Sequence, residues 1–338
     1  MNLFIGLVLA VMGGAIQGAF VYPQKFMKNW KYENGWFVFT VMCCLVLPLV
    51  LAFATTPDLM EIYRNTPSQT MWLVFLSGMA WGVGVILFGL GADFLGMALG
   101  IAIITALNAA FGTLLPLFLL PSEESLSTTA VLVLIAGLLV LIGGVIQVAK
   151  AGKIRDKETT VARKVSFRVG LIVCIVAAIF CPATNFAVFF GKPITESVIA
   201  LGTVAPYNVG YAQLLPYFIG GFIVNTIYCV YLFVRNKSFK VYAAKEGRGR
   251  NFMLGTSMAL LFIVGMAFYT IANASFIPAA GAVIGWPLFM AATIIAGQVL
   301  GLSSGEWKGV DRKAFRELYI GIALLIVAII IVSLSNLF

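Results

Sequence analysis

Histidine is absent from this 338-residue chain, and charge is scarce, with Asp, Glu, Lys and Arg making up only 10% of residues. Soluble globular chains carry about 25%, so the deficit excludes a soluble enzyme. The five cysteines, Cys43, Cys44, Cys174, Cys181 and Cys229, all fall in apolar runs without CxxC spacing. With no histidine and no such spacing there is no metal-ligand set, and the cysteines read as small buried hydrophobes. P-loop, zinc and nucleophile motifs are missing as well. No catalytic residue, metal or cofactor is expected, and the chain does not read as an enzyme.

What is present is apolar length. Hydrophobic residues make up 61% of the chain and the mean hydropathy is +1.03. Ten apolar runs recur, roughly at 3–22, 34–54, 70–91, 94–120, 129–149, 168–190, 208–234, 252–272, 276–302 and 318–337. About 20 apolar residues cross a bilayer as helix, so the expected class is an all-α membrane protein with ten transmembrane helices. Pro116 lies in the longest run, where a kink or exit is expected. The first run lacks a basic stretch before Leu3 and does not read as a signal peptide.

Basic residues follow a strong alternation. Of the 22 Lys and Arg, 20 fall on odd-numbered loops, leaving Arg64 and Lys192 on even ones. Short basic loops stay cytoplasmic, which predicts both termini in the periplasm. The net charge of +9 is this bias and is no argument for nucleic acid. The polar stretch after the fifth run divides the chain into a first five-helix half (1–150), a cytoplasmic linker (151–166) and a second five-helix half (167–338). Halves with an odd number of spans enter the membrane in opposite senses, so a shared fold makes an inverted repeat.

Small residues mark helix contacts. Gly14/Gly18, Gly78/Gly82, Gly96/Gly100, Gly281/Gly285 and Gly297/Gly301 each have the GxxxG spacing that lets helix backbones approach closely. The stretch "GMAWGVGVILFGLGADFLGMALGIAI" (78–103), with "YPQKFMKNWKYENGW", "AKAGKIRDKE", "FFGKPITE" and "GEWKGVDRK" in order along the chain, resembles the L-rhamnose–proton symporter family, within the drug/metabolite transporter superfamily of ten-helix carriers. The resemblance implies two inverted five-helix halves in a bacterial inner membrane and sugar uptake coupled to protons. Its departures are Val85, where the family pattern has Asn, and Ala282, where it has an acid. Gln17, Asn108 and Asn185 are polar where the pattern is small or apolar, which implies a rearranged lining.

Polar side chains in mid-span are costly and face the bundle interior or a cavity. The substrate-binding candidates are therefore Gln17, Trp81, Thr105, Asn108, Asn185, Tyr269, Asn273, Trp286 and Gln298. A lone amide can equally serve as interhelical glue. Tyr22, Tyr211 and Tyr217 are weaker candidates, and Trp30, Trp36, Tyr228 and Tyr231 read as belt or packing residues. No acid lies in mid-span. Asp93 reads as a cap of the fourth span and Glu317 as an acid opening the tenth. Glu33 and Glu196, near span ends, are the proton-coupling candidates, and for Glu33 a helix-cap and gate role is the competing reading. The expected function is secondary active import of a small neutral sugar, L-rhamnose or a related deoxysugar or monosaccharide, with protons. The alternatives are an uncoupled facilitator or exchanger of another metabolite or drug, and a membrane sensor, which would need a signalling domain. Expected partners are the sugar, protons and the lipid bilayer; a monomer suffices.

Overall fold

A computed structural model describes residues 3–95, 97–119, 127–155, 166–205, 207–243, 246–273, 281–304 and 307–335. Its helices are α1 (Leu3–Ala19), α2 (Tyr32–Val41), α3 (Leu47–Thr55), α4 (Leu59–Asn65), α5 (Ser68–Leu95), α6 (Met97–Leu119), α7 (Thr128–Arg155), α8 (Phe167–Phe180), α9 (Ala183–Phe190), α10 (Lys192–Ala200), α11 (Val209–Asn236), α12 (Arg248–Asn273), α13 (Gly281–Ser303) and α14 (Arg312–Leu334). Among the described residues nine helical stretches are long and apolar enough to cross a membrane, and α6 adds a shorter apolar stretch, Ile103–Leu114. The chain is a multi-pass membrane protein. Large apolar side chains such as Leu132, Leu139, Ile172 and Ile227 lie on its outer surface, where only lipid would cover them without cost.

Proline accounts for the irregular spans. Pro48 opens α3, and the turn before it, Met42–Val46, widens to π-helix, with the Leu47 N–H bonded to the Met42 carbonyl. A residue without an N–H leaves a carbonyl unpaired one turn earlier, and an inserted wide turn accommodates this. Pro182 similarly separates α8 from α9, so the sixth apolar run is a broken helix. Pro116 does not end its helix, since α6 continues to Leu119.

Close glycine contacts are seen at Gly14, Gly18, Gly78, Gly82 and Gly100, while Gly96 lies outside the described residues and Gly297 is looser, with one atom at 4.0 Å. α1 lies between α12 and α13, α5 between α8–α9 and α11, α7 pairs with α14, and α2–α3 sit against α11 and α12. A Cβ on Gly14 or Gly18 would overlap the Phe289 and Thr293 carbonyls of α13, and one on Gly78 would overlap Tyr217 backbone in α11. Backbones this close exclude any larger residue, which is the physical use of the GxxxG spacing in lipid.

One cap assignment and one helix start need correction. Asp93 lies within the last turn of α5 and not at the start of the next helix. The cap of α14 is Asp311, which accepts from the Lys313 N–H at 2.7 Å, while Glu317 sits a turn further in. The five cysteines are buried free thiols. The linker's residues 156–165 lie outside the described residues, but α7 carries the helix across the expected 150/151 boundary to Arg155.

Candidate functional site

Four helices bring polar side chains together in the middle of the bundle. Asn185 enters from α9 just after the Pro182 break. Its Nδ2 donates to the Gly112 carbonyl of α6 at 2.7 Å, and its Oδ1 accepts from the Tyr269 hydroxyl of α12. One turn before Gly112, Asn108 donates from Nδ2 to Met290 Sδ of α13 at 3.3 Å. The Asn108 carbonyl accepts from Trp286 Nε1 at 3.2 Å. Trp286 meets Tyr269 edge to face with ring centroids 5.6 Å apart. Asn185 and Tyr269 are both 0% exposed. The neighbourhood is therefore closed, with apolar walls and polar groups at a few fixed points.

The remaining candidates lie around this cluster at different distances. Gln17 of α1 sits over Gly265, one turn before Tyr269, and its Oε1 is a buried acceptor without a partner among the described residues. Trp81 of α5 packs its indole against Tyr217 of α11 and Phe262 of α12, each at 5.6 Å. Asn273 lies one turn beyond Tyr269, half-buried. Thr105 returns its hydroxyl to the Ile101 carbonyl of its own helix at 2.8 Å. Gln298 is not brought in: it lies three turns past Trp286 on α13, about 18 Å along the axis at 1.5 Å per residue. The Ala282 side chain lies outside the described residues.

Sequence reasoning passed over Thr184, Asn225 and Gln213, and gave little weight to Tyr217. Thr184 shares a hydrogen bond with the Tyr217 hydroxyl. Asn225 Oδ1 accepts from Trp36 Nε1 at 3.1 Å, and Gln213 Nε2 donates to the Val188 carbonyl at 2.7 Å. The signal was available, since Gln213 and Asn225 are also amides inside an apolar run.

A second polar region joins the start of α2 to the end of α11 and the start of α12, where the basic loops lie. Glu33 is 2% exposed and is the one buried carboxylate among the described residues. Its Oε1 accepts from Ser238 Oγ at 2.5 Å and Asn236 Nδ2 at 3.0 Å. Lys31 Nζ donates to the Asn236 carbonyl at 2.9 Å, and Asn34 Nδ2 to the Ser238 carbonyl at 3.1 Å. The Tyr242 hydroxyl donates to the Asn34 carbonyl at 2.9 Å; burial raises this phenol above its usual range, so the donor proton is held. Asn251 Nδ2 donates to the Lys28 carbonyl at 2.8 Å. Trp30 packs on Tyr242 and Phe252, both at 5.2 Å, as a packing residue. Glu33 does lie in the first turn of its helix, but the cap position is Lys31 and the carboxylate reaches across to α11. Glu196 differs: it is 63% exposed on α10 and lies 3.8 Å from Lys192 Nζ.

Two of the cavities among the described residues are lined by residues outside the central cluster. One, lined by Tyr207, Tyr211, Phe218 and Thr270, measures about 10 Å³. The other, about 400 Å³, opens at the basic end beside Tyr22, Lys25, Phe26 and Ser304.

Comparison with known proteins gives one consistent result. The model of the L-rhamnose-proton symport protein (RhaT) family matches residues 1–337. L-rhamnose-proton symporters from Cronobacter sakazakii and Klebsiella pneumoniae are each 30% identical, over 98% of this chain and 97% of theirs. One from Yersinia pestis is also 30% identical, over 98% of both chains. A protein of known crystal structure, 14% identical, superposes with a TM-score of 0.61 over 98% of this chain and 97% of its own, a likeness of fold alone.

Proposed function

The chain belongs to the L-rhamnose-proton symport protein family, a family of transporters and not of enzymes, and from that premise we propose that it carries L-rhamnose or a closely related deoxysugar inward together with protons. The observation that carries this reading is the buried cluster of Asn185, Tyr269, Asn108 and Trp286, in which neutral amide and hydroxyl groups meet aromatic faces. Neutral hydrogen-bonding groups suit a sugar's hydroxyls, and flat rings suit its C–H faces. Gln17 and Trp81 border the same region, and Asn273 extends it along α12.

The finer architecture follows the drug/metabolite transporter plan: ten spans, two inverted halves of five, both termini periplasmic, in a bacterial inner membrane. Supporting this is the exchange symmetry of the packing. α1 contacts α12 and α13 much as α8–α9 contact α5 and α6, while α7 meets α14 across the middle. The basic end, where Glu33 is bonded to Asn236 and Ser238, is then the cytoplasmic gate. Proton coupling runs through Glu33 in preference to Glu196, because a carboxylate that binds and releases a proton drives a conformational change only if its hydrogen bonds change with charge. Hydrogen bonds to a charged group contribute about 1.5–3 kcal/mol against about 0.5–1.5 kcal/mol for neutral ones, so protonation of Glu33 loosens the gate.

The test is uptake of labelled sugar into proteoliposomes that are alkaline inside. Accumulation of L-rhamnose above its external concentration, collapsing to equilibration with a protonophore, is the expected result. Equilibration unaffected by the gradient would make the protein a facilitator, and no uptake of L-rhamnose or related monosaccharides would remove the sugar reading.

A further inference from the structure

Resting on the deoxysugar reading above, we propose that Thr184 and Tyr217 form a specificity-determining pair that reads one ring hydroxyl of the substrate. Thr184 precedes Asn185 at the start of α9, directly after the proline break. Its hydroxyl bonds to the Tyr217 hydroxyl of α11, while its neighbour Asn185 bonds to Tyr269 of α12. Adjacent residues at one helix start therefore each hold a buried tyrosine from a different span. Thr184 is 3% exposed and Tyr217 0%.

The two pairs differ in what they have left to give. Asn185 is committed to the Gly112 carbonyl and to Tyr269. A hydroxyl carries one donor and two acceptor sites. The Thr184–Tyr217 pair spends one O–H on its own bond, and among the described residues the second O–H meets no protein acceptor. Donor and acceptor capacity thus remain together at one point, beside the Trp81 indole at 5.6 Å. A neutral donor–acceptor point beside an aromatic face matches a sugar carbon bearing a hydroxyl, and it carries no charge to balance that of an ionic solute. Where a site is built around a substrate hydroxyl, an analogue lacking it leaves buried polar groups unpaired and is rejected. Substrate reaches this enclosed pair when the halves part during transport.

The experiment is equilibrium binding of the purified full chain to L-rhamnose and to its three analogues lacking the 2-, 3- or 4-hydroxyl, for the parent, Tyr217→Phe, Thr184→Val and Thr184→Ser. Tyr217→Phe should weaken L-rhamnose binding roughly 2- to 13-fold, the worth of one hydrogen bond, while leaving the affinity for one particular analogue unchanged. Thr184→Val should spare that same analogue, and Thr184→Ser should behave like the parent. A purely structural role predicts equal weakening for all four sugars, or none, and either outcome overturns the proposal. If Tyr217→Phe does not fold, the near-isosteric Thr184→Val series decides alone. A parent that binds none of the four sugars overturns the deoxysugar reading and the pair with it, whereas a parent that binds, with variants that fail the pattern, overturns the pair alone.

Discussion

Two buried polar regions of this molecule spend their hydrogen bonds in opposite ways. At the basic end the bonds run mostly between loops and helix starts, and they are redundant. Glu33 Oε1 accepts two donors, Asn34 and Asn251 each engage backbone through their side-chain amides, and Tyr242 closes the ring. In mid-bundle the bonds are fewer, and capacity is left over: Gln17 Oε1 and Asn108 Oδ1 are buried acceptors without a partner among the described residues. A fully satisfied buried network rigidifies what it joins, while a partly satisfied one carries a standing cost. The first arrangement suits a latch, and the second suits a site whose missing partner is the substrate.

The comparison breaks most visibly at Glu33. Glu33→Ala leaves Ser238 and Asn236 donors unpaired and should cost about 3 kcal/mol, read as a lowered thermal unfolding midpoint in detergent; an unchanged midpoint would mean that the latch holds nothing. Asn185→Ala strands the Tyr269 hydroxyl and the Gly112 carbonyl and should cost somewhat less, about 2 kcal/mol, while also weakening sugar binding. Gln17→Ala sharpens the contrast, because the lost oxygen has no partner among the described residues. Its unfolding midpoint should match the parent's while sugar affinity falls roughly 2- to 13-fold, and a loss of stability without loss of affinity would make Gln17 interhelical glue. The smallest effect belongs to Glu196→Gln. An exposed ion pair at 3.8 Å contributes little, so stability and gradient-driven uptake should stay at parent level, and abolished accumulation would move coupling to α10.

Several residues explain what could be read in advance. Asn185 and Tyr269 were legible because a polar group in an apolar run must find a partner. Gln298 satisfies the same rule and yet lies far along α13 from the cluster, because polarity marks a residue for burial without naming its depth. Thr184 went unnoticed because a threonine hydroxyl can return to its own helix, as Thr105 does, and nothing local distinguishes the two cases. Glu33 was read partly as a cap because it sits in a first turn; its partners Asn236 and Ser238 stand 203 and 205 residues away in the chain.

The sequence by itself determined the membrane class, the position of most spans, the glycine faces and the alternation of basic loops, since each follows from local composition and helical period against a 30 Å hydrocarbon layer. The tertiary structure alone decided which amide meets which tyrosine, that the sixth apolar run breaks into separate helices, and that Glu33 joins α2 to α11. The reason is that a hydrophobic period fixes a helix and its buried face, but the rotation, depth and partner of each polar side chain depend on helices packed from distant parts of the chain.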